Sequence, residues 1–335
     1  MIDKSPSRRW TYLDKAKGLA IFLVVLGHAA SASQFPGHDW YYALQRCIYG
    51  FHMPFFMFIS GFVSARRVME VAASGGYGAF VRQRAMRLLV PFAVFGLILL
   101  FAKIGASHLE TIRRTPASLS SGLADLVFHT ENSGATTIWY LYALFVFLCA
   151  APIVIRGAQF DLRIAFAVAF VCYLVPAPGY FYLDRVTGYF VFFFAGIMAE
   201  QKSETWHRFV DRTGALLALP FLASFALIYF DMPQRLVLFV IGFLSIPVIL
   251  RLMRALETGA ASRLLLRFAQ NTMAIYLLNT LSIGLTTLAA LRLHAPVVAA
   301  FPLFIVVLTA AGIYLPMLAK RLVFARDRRL LALVS

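Results

Sequence analysis

The feature that most constrains this chain is a succession of apolar runs, each about long enough to cross a bilayer as a helix, joined by short segments in which the basic residues collect. We read spans near residues 18–33, 43–63, 86–105, 137–155, 162–177, 186–200, 214–230, 236–250, 268–291 and 297–318. The predicted fold class is an all-α polytopic membrane protein of about ten transmembrane helices, forming a single integral-membrane domain over residues 1–335. Composition agrees, because 61% hydrophobic and 14% charged residues with a mean hydropathy of +0.78 lie far from a soluble domain, in which roughly a quarter of residues are charged. Spans of this number leave no room for a sizeable soluble domain.

A net charge of +16 would suit nucleic acid, but the placement of the basic residues ties it to topology instead. Ten spans put both termini on one face. Of the 31 Lys and Arg residues, 24 fall on that face and six on the other, with Arg46 alone inside a span. So large an asymmetry predicts that both termini are cytoplasmic, and no nucleic-acid partner is expected. Arg8, Arg9, a short apolar core and Ala30-Ser31-Ala32 imitate a cleavable signal peptide. Retention is expected, since the first span must orient the rest and a signal core has no use for His28. Cys47, Cys149 and Cys172 fall in or beside spans, with neither a disulfide framework nor metal-ligand spacing.

Ionisable residues inside such spans are costly and mark candidate functional positions. His28 lies near the far end of the first run, roughly 16 Å along a helix from Lys17 and near the middle of the hydrocarbon layer. Eleven residues make three turns plus about 20°, so Lys17 and His28 share a face, with Asp14 within about 40° of the same line. The second run holds Arg46 about one turn below the outer surface and His52 about two turns deeper, at a depth similar to His28. Every Asp and Glu falls at a span end or in a loop, so no carboxylate in a span interior can pair with Arg46, His28 or His52. A buried guanidinium then needs an anion or several carbonyls, and an anionic ligand or a developing oxyanion meets that need.

Beyond these, Arg84 and Arg87 share a face where the third helix meets the cytosol, a place where an Arg pair commonly serves only as a topology anchor. A stretch from Ala73 to Gly78 reads as a flexible loop ahead of them. Leu119, Leu123, Leu126 and Val127 have the spacing of a short amphipathic helix at the outer mouth. Trp139 and Tyr140 suit either an aromatic belt or a substrate platform, and Asn279 either interhelical hydrogen bonding or a ligand contact.

Taken together, these residues carry a family resemblance. The stretch Asp14-Lys15-Ala16-Lys17-Gly18 through Leu26-Gly27-His28 resembles the opening signature of the integral-membrane acyltransferase family 3, bacterial enzymes that O-acylate cell-surface glycans. Phe51-His52-Met53-Pro54-Phe55-Phe56, Ser60-Gly61, Arg84-Ala85-Met86-Arg87, Trp139-Tyr140-Leu141 and Ile275-Tyr276-Leu277-Leu278 follow in the family's order. The resemblance implies a ten-helix domain in the bacterial cytoplasmic membrane. It takes an acyl group, commonly acetyl from acetyl-CoA as co-substrate, and delivers it to a hydroxyl of a glycan or lipid-linked sugar. No bound cofactor or metal is expected, nor the extracytoplasmic esterase-like domain fused to some relatives. Asn279 stands where many relatives have histidine, so hydrogen bonding to a sugar, rather than proton transfer, is expected there.

The chemistry of acyl transfer assigns the roles. An alcohol attacking a thioester needs a base, and an imidazole held in low dielectric is neutral and able to accept a proton. His28, Arg46 and His52 are the expected catalytic group, with His28 as base and Arg46 or a backbone donor at the oxyanion. Lys17, Arg84 and Arg87 are assigned to the donor, the Arg pair gripping CoA phosphates bidentately. Trp139, Tyr276 and Asn279 are assigned to the acceptor. The competing class is a proton-coupled transporter, which predicts broken helices or internal repetition, neither of them clear in the sequence.

Overall fold

The computed structural model describes residues 11–32, 34–105, 118–130, 136–230 and 232–335. Arg8 and Arg9, Ser33 at the end of the first expected span, and Arg113 and Arg114, two of the six basic residues counted on the outer face, lie outside this set. Among the described residues the regular structure is helical: α1 Thr11–His28, α2 Asp39–Ser74, α3 Tyr77–Gly105, α4 Leu119–Val127, α5 Trp139–Gly157, α6 Leu162–Leu174 and α7 Leu183–Gln201. There follow α8 Ser203–Thr213, α9 Ala218–Ser224, α10 Gln234–Ala255, α11 Ala260–Gln270, α12 Thr272–Arg292, α13 Phe301–Leu322 and α14 Arg328–Leu333.

Among the described residues, six helical segments are long and apolar enough to cross a membrane: α2, α3, α5, α10, α12, and α13 with its 3₁₀ extension to Arg326. The other expected spans differ for physical reasons. α1 and α7 carry three charged residues each, near their ends, and α6 has only 13 residues, roughly 20 Å of helix. The stretch expected to span 214–230 is α9 followed by a 3₁₀ turn, and it meets α8 at a bend of 78°. Counted with α8 as one broken span, it makes a seventh. α8 carries Glu204, His207, Arg208, Asp211 and Arg212, so the bend joins a polar helix to an apolar one.

The second helix is longer than the apolar run predicted. Its 36 residues make about 54 Å, well beyond a hydrocarbon layer, and the surplus turns carry Arg66, Arg67 and Glu70. The expected flexible loop after it shrinks to Gly75 and Gly76, with φ of 85° and 75°. Those left-handed angles let glycine end one helix and admit the next within two residues.

The described residues group into two compact units. The first comprises the chain up to Ile59 together with Lys202–Ser335, and the second is Ser60–Gln201. In the first, α1 packs against α10, α11, α12 and α13. Small residues permit this: a Cβ on Gly18 would collide with the carbonyl of Leu265 in α11, and one on Gly312 of α13 would meet Val25 Cγ1 at 2.6 Å. Lys15, only 7% exposed, donates from Nζ to the carbonyl of Leu256 at 2.7 Å and so caps the end of α10.

The second unit packs α3, α5, α6 and α7 with the last turns of α2. Two of the motifs noted in the sequence meet here. Ser60 Oγ and Tyr140 Oη are 2.6 Å apart, and a Cβ on Gly61 would collide with the carbonyl of Phe193. α4 forms where the leucine spacing placed it, opened by a capping box between Ser118 and Ser121. Thr130, just beyond it, donates from its hydroxyl to the carbonyl of Gly179 and thereby ties that loop to the approach of α7.

Candidate functional site

The last carbonyls of a helix have no partner within it, and those at the end of α1 are met from α2. Tyr41 Oη donates to Leu26 O at 2.6 Å and accepts from Ala30 N at 3.2 Å. Gln45 Nε2 donates to Gly27 O at 2.5 Å and to Ala30 O at 3.0 Å, while Tyr49 Oη donates to Gly27 O at 2.6 Å. Residues 41, 45 and 49 succeed one another by four, so they form one stripe of α2. Together they end α1 at His28, five residues short of the span read from the sequence, and fix the backbone carrying that imidazole.

Gly27 is required for this fit. A Cβ there would lie 2.8 Å from Tyr49 Cε1, closer than carbon atoms approach without displacement. Tyr49 in turn stands between two imidazoles, its ring centroid 6.4 Å from that of His28 and 5.3 Å from that of His52. His28 keeps part of its surface accessible, whereas His52 is 5% exposed. His52 Nδ1 donates to the carbonyl of Ile48 at 2.8 Å, which leaves its Nε2 as an acceptor.

Behind His28 lies α12. Asn279 is fully buried, and its Oδ1 stands 3.4 Å from His28 Nδ1. The buried Tyr276 joins the group through its carbonyl, which accepts from Asn279 Nδ2 at 2.6 Å. Lys17 sits on the same unbroken α1 as His28, so the shared face inferred from their spacing applies, and Asp14 falls in the first turn of that helix. Among the residues expected to act together, the first unit thus joins His28, His52, Asn279 and the Tyr276 backbone.

Arg46 departs from expectation. It is exposed rather than buried, with its guanidinium carbon 5.2 Å above the ring of Tyr229. It projects roughly 100° round α2 from the stripe that meets α1, and the aromatic face offers the charge a partner that needs no anion.

The second unit holds Arg84 and Arg87 on α3. Arg84 lies over Phe80 at 5.0 Å, and its Nε is buried without a hydrogen-bond partner. Arg87 and Arg67 add positive charge close by. Their neighbours are paired, Arg66 with Glu200 at 2.8 Å and Arg67 with Glu70 at 3.0 Å. Among the described residues no carboxylate lies within ion-pair distance of Arg84 or Arg87, and such a concentration of unpaired guanidinium suits an anion. Trp139 packs 5.0 Å from Tyr189, with the guanidinium of Arg185 5.4 Å over its ring and Asp184 bonded to Arg185 at 3.1 Å.

Tyr41, Gln45 and Tyr49 were not singled out from the sequence. Their signal was available, a polar stripe at four-residue spacing in an otherwise apolar run, but its partner is the end of a different helix.

Comparison with known proteins bears on this arrangement. Nodulation protein NolL of Mesorhizobium japonicum is 33% identical over 135 residues, 40% of this chain and 32% of that protein. Nodulation protein NolL of Sinorhizobium fredii is 32% identical over 134 residues, 39% of this chain and 32% of the relative. The matched stretch therefore spans about a third of the length of these curated relatives. No solved structure matches the chain. The model of the family described as an acyltransferase domain matches residues 10–321, nearly the whole sequence and every residue of the site just described, and the chain belongs to that family of membrane acyltransferases.

Proposed function

We propose that this protein is a membrane O-acyltransferase that moves an acyl group, acetyl in the first instance, from acyl-CoA to a hydroxyl of a cell-surface or lipid-linked glycan. The observation that carries this reading is His28, a partly accessible residue at the end of α1, whose last carbonyls are fastened by Tyr41, Gln45 and Tyr49. In the proposed step a sugar hydroxyl attacks the thioester carbonyl while His28 takes its proton. The tetrahedral intermediate collapses with cleavage of the C–S bond, and the proton passes to the departing CoA thiolate.

Arg84 and Arg87 bind the donor's phosphates, supported by their lack of carboxylate partners and the unpaired Nε of Arg84. Lys17 adds charge on the donor's approach to His28. His52, with Nε2 left as an acceptor, assists the proton's passage. Arg46 takes no part in the step, because its guanidinium lies over Tyr229. Trp139, beside Arg185 and Tyr189, supplies an aromatic surface to the acceptor. The setting we propose is one domain over residues 1–335 in the bacterial cytoplasmic membrane, with about ten spans and both termini cytoplasmic, as the distribution of Lys and Arg supports.

Purified protein in nanodiscs, given acetyl-CoA with and without sugar acceptors, tests this directly. Release of free thiol that depends on both acceptor and His28 is the expected result. Release that does not depend on the acceptor, or no release by a folded preparation, overturns the reading.

A further inference from the structure

The side-chain amide of Asn279 has only one workable orientation. Its Nδ2 donates to the carbonyl of Ile275 at 3.0 Å and to that of Tyr276 at 2.6 Å, one turn back on α12. Rotating the amide by half a turn would set Oδ1 against both carbonyl oxygens, leaving three acceptors in contact and no donor among them, at a fully buried position. Oδ1 therefore faces the other way. There it accepts from Thr280 Oγ1 at 3.4 Å and meets His28 Nδ1 at 3.4 Å.

An amide oxygen can only accept, so the ring atom opposite it must be the donor. A neutral imidazole protonated on Nδ1 has its lone pair on Nε2, and among the described residues Nε2 of His28 has no hydrogen-bond partner. We infer that Asn279 is a positioning residue: its amide, locked by the backbone of α12, holds His28 in the Nδ1–H tautomer and presents bare Nε2 to the acceptor hydroxyl. This rests on the reading of His28 as the base and reassigns Asn279 from a contact with the sugar to a contact with the base. The fastened end of α1 complements it, because a fixed backbone and a fixed ring nitrogen together leave the imidazole little freedom to turn.

The experiment uses the full chain in nanodiscs, labelled with ¹⁵N-histidine, with the His28 signals identified by their loss in His28→Gln. Wild type is expected to show His28 with Nδ1 protonated and Nε2 bare. Asn279→Leu should mix or invert that pattern and lower kcat by ~10-fold or more, with the KM for acetyl-CoA unchanged. Asn279→Asp can keep an oxygen on Nδ1, its second oxygen taking a proton to reach the backbone carbonyls; it should retain the tautomer and more activity than Asn279→Leu. The wild-type spectrum alone decides the matter if Asn279→Leu does not fold, for a His28 protonated on Nε2 overturns the inference. So does Asn279→Leu with an unaltered His28 spectrum, whatever its rate. If instead His28→Gln transfers acyl groups at the wild-type rate, the reading of His28 as base fails, and the tautomer result stands or falls separately.

Discussion

The phenolic oxygen of Tyr49 donates to the carbonyl of Gly27 at 2.6 Å, so the residue before the candidate base is anchored by a side chain from the neighbouring helix. Gln45 reaches the same carbonyl at 2.5 Å. Tyr49→Phe leaves Gly27 O one donor, and should cost about 1 kcal/mol in unfolding free energy with a several-fold drop in kcat. Tyr49→Phe combined with Gln45→Leu strips both donors, and its effect should exceed the sum of the single changes because each side chain covers for the other. Thermal unfolding and acyl transfer measured on the same preparations check both; simple additivity would mean that the two donors act independently.

Gly27→Ala tests the same junction from the opposite side. The new methyl would stand 2.8 Å from Tyr49 Cε1, so the ring must move and with it the hydrogen bond to the backbone. Transfer should fall by ~10-fold or more while acetyl-CoA binding is kept, and Tyr49→Leu in the Gly27→Ala background should recover part of the loss by making room. No recovery in the double variant would show that the glycine is needed for something other than this contact.

How much of this could be read beforehand differs from residue to residue. Lys17 and His28 share a face because α1 runs unbroken between them, and helical spacing is a local property that the sequence displays. α4 was equally plain, its four apolar positions and its serine cap lying within ten residues. The expected burial of Arg46 is not met, because apolar neighbours mark a helix suited to a membrane without revealing which side of it faces protein. The Tyr41, Gln45 and Tyr49 stripe was hidden for a related reason: its meaning depends on carbonyls in another helix. Asn279 shows the limit of residue type as a guide, since the same amide suits a sugar, a helix contact or a histidine, and only the two carbonyls behind it decide. The extra helix beyond the apolar run of α2 was missed because hydropathy marks where lipid ends, not where hydrogen bonding does.

Arg84→Ala and Arg87→Ala should each weaken acetyl-CoA binding, and the wild-type affinity should fall as salt rises, as expected where guanidinium meets phosphate. Lysine at either position should restore the charge but only part of the affinity, because it lacks the planar fork. Calorimetric titration at two ionic strengths measures this. Normal donor binding by both alanine variants would reduce the pair to a topological anchor.

Arg46→Gln provides a contrast within α2. With its guanidinium exposed and over Tyr229, Arg46 is expected to tolerate the substitution with kcat within a factor of about 2, the range usual for an exposed side chain outside the site. A large loss of kcat at unchanged stability would return Arg46 to the reacting centre.

The sharpest expectation concerns His28 itself. His28→Ala should preserve expression, folding and donor binding while lowering acyl transfer by ~100-fold or more, the usual worth of a positioned base. His28→Asn should not restore activity, since an amide can hydrogen-bond but cannot take a proton at neutral pH. Equal activity in His28→Asn would make His28 a packing residue. His52 supplies the control, because both imidazoles flank Tyr49 and differ in how their ring nitrogens are engaged: Nδ1 of His52 is bonded to its own helix, and that of His28 to another. His52→Ala should reduce the rate less than His28→Ala does. The reverse order, with His52 indispensable and His28 replaceable, would keep the chemistry and move its base to the second helix.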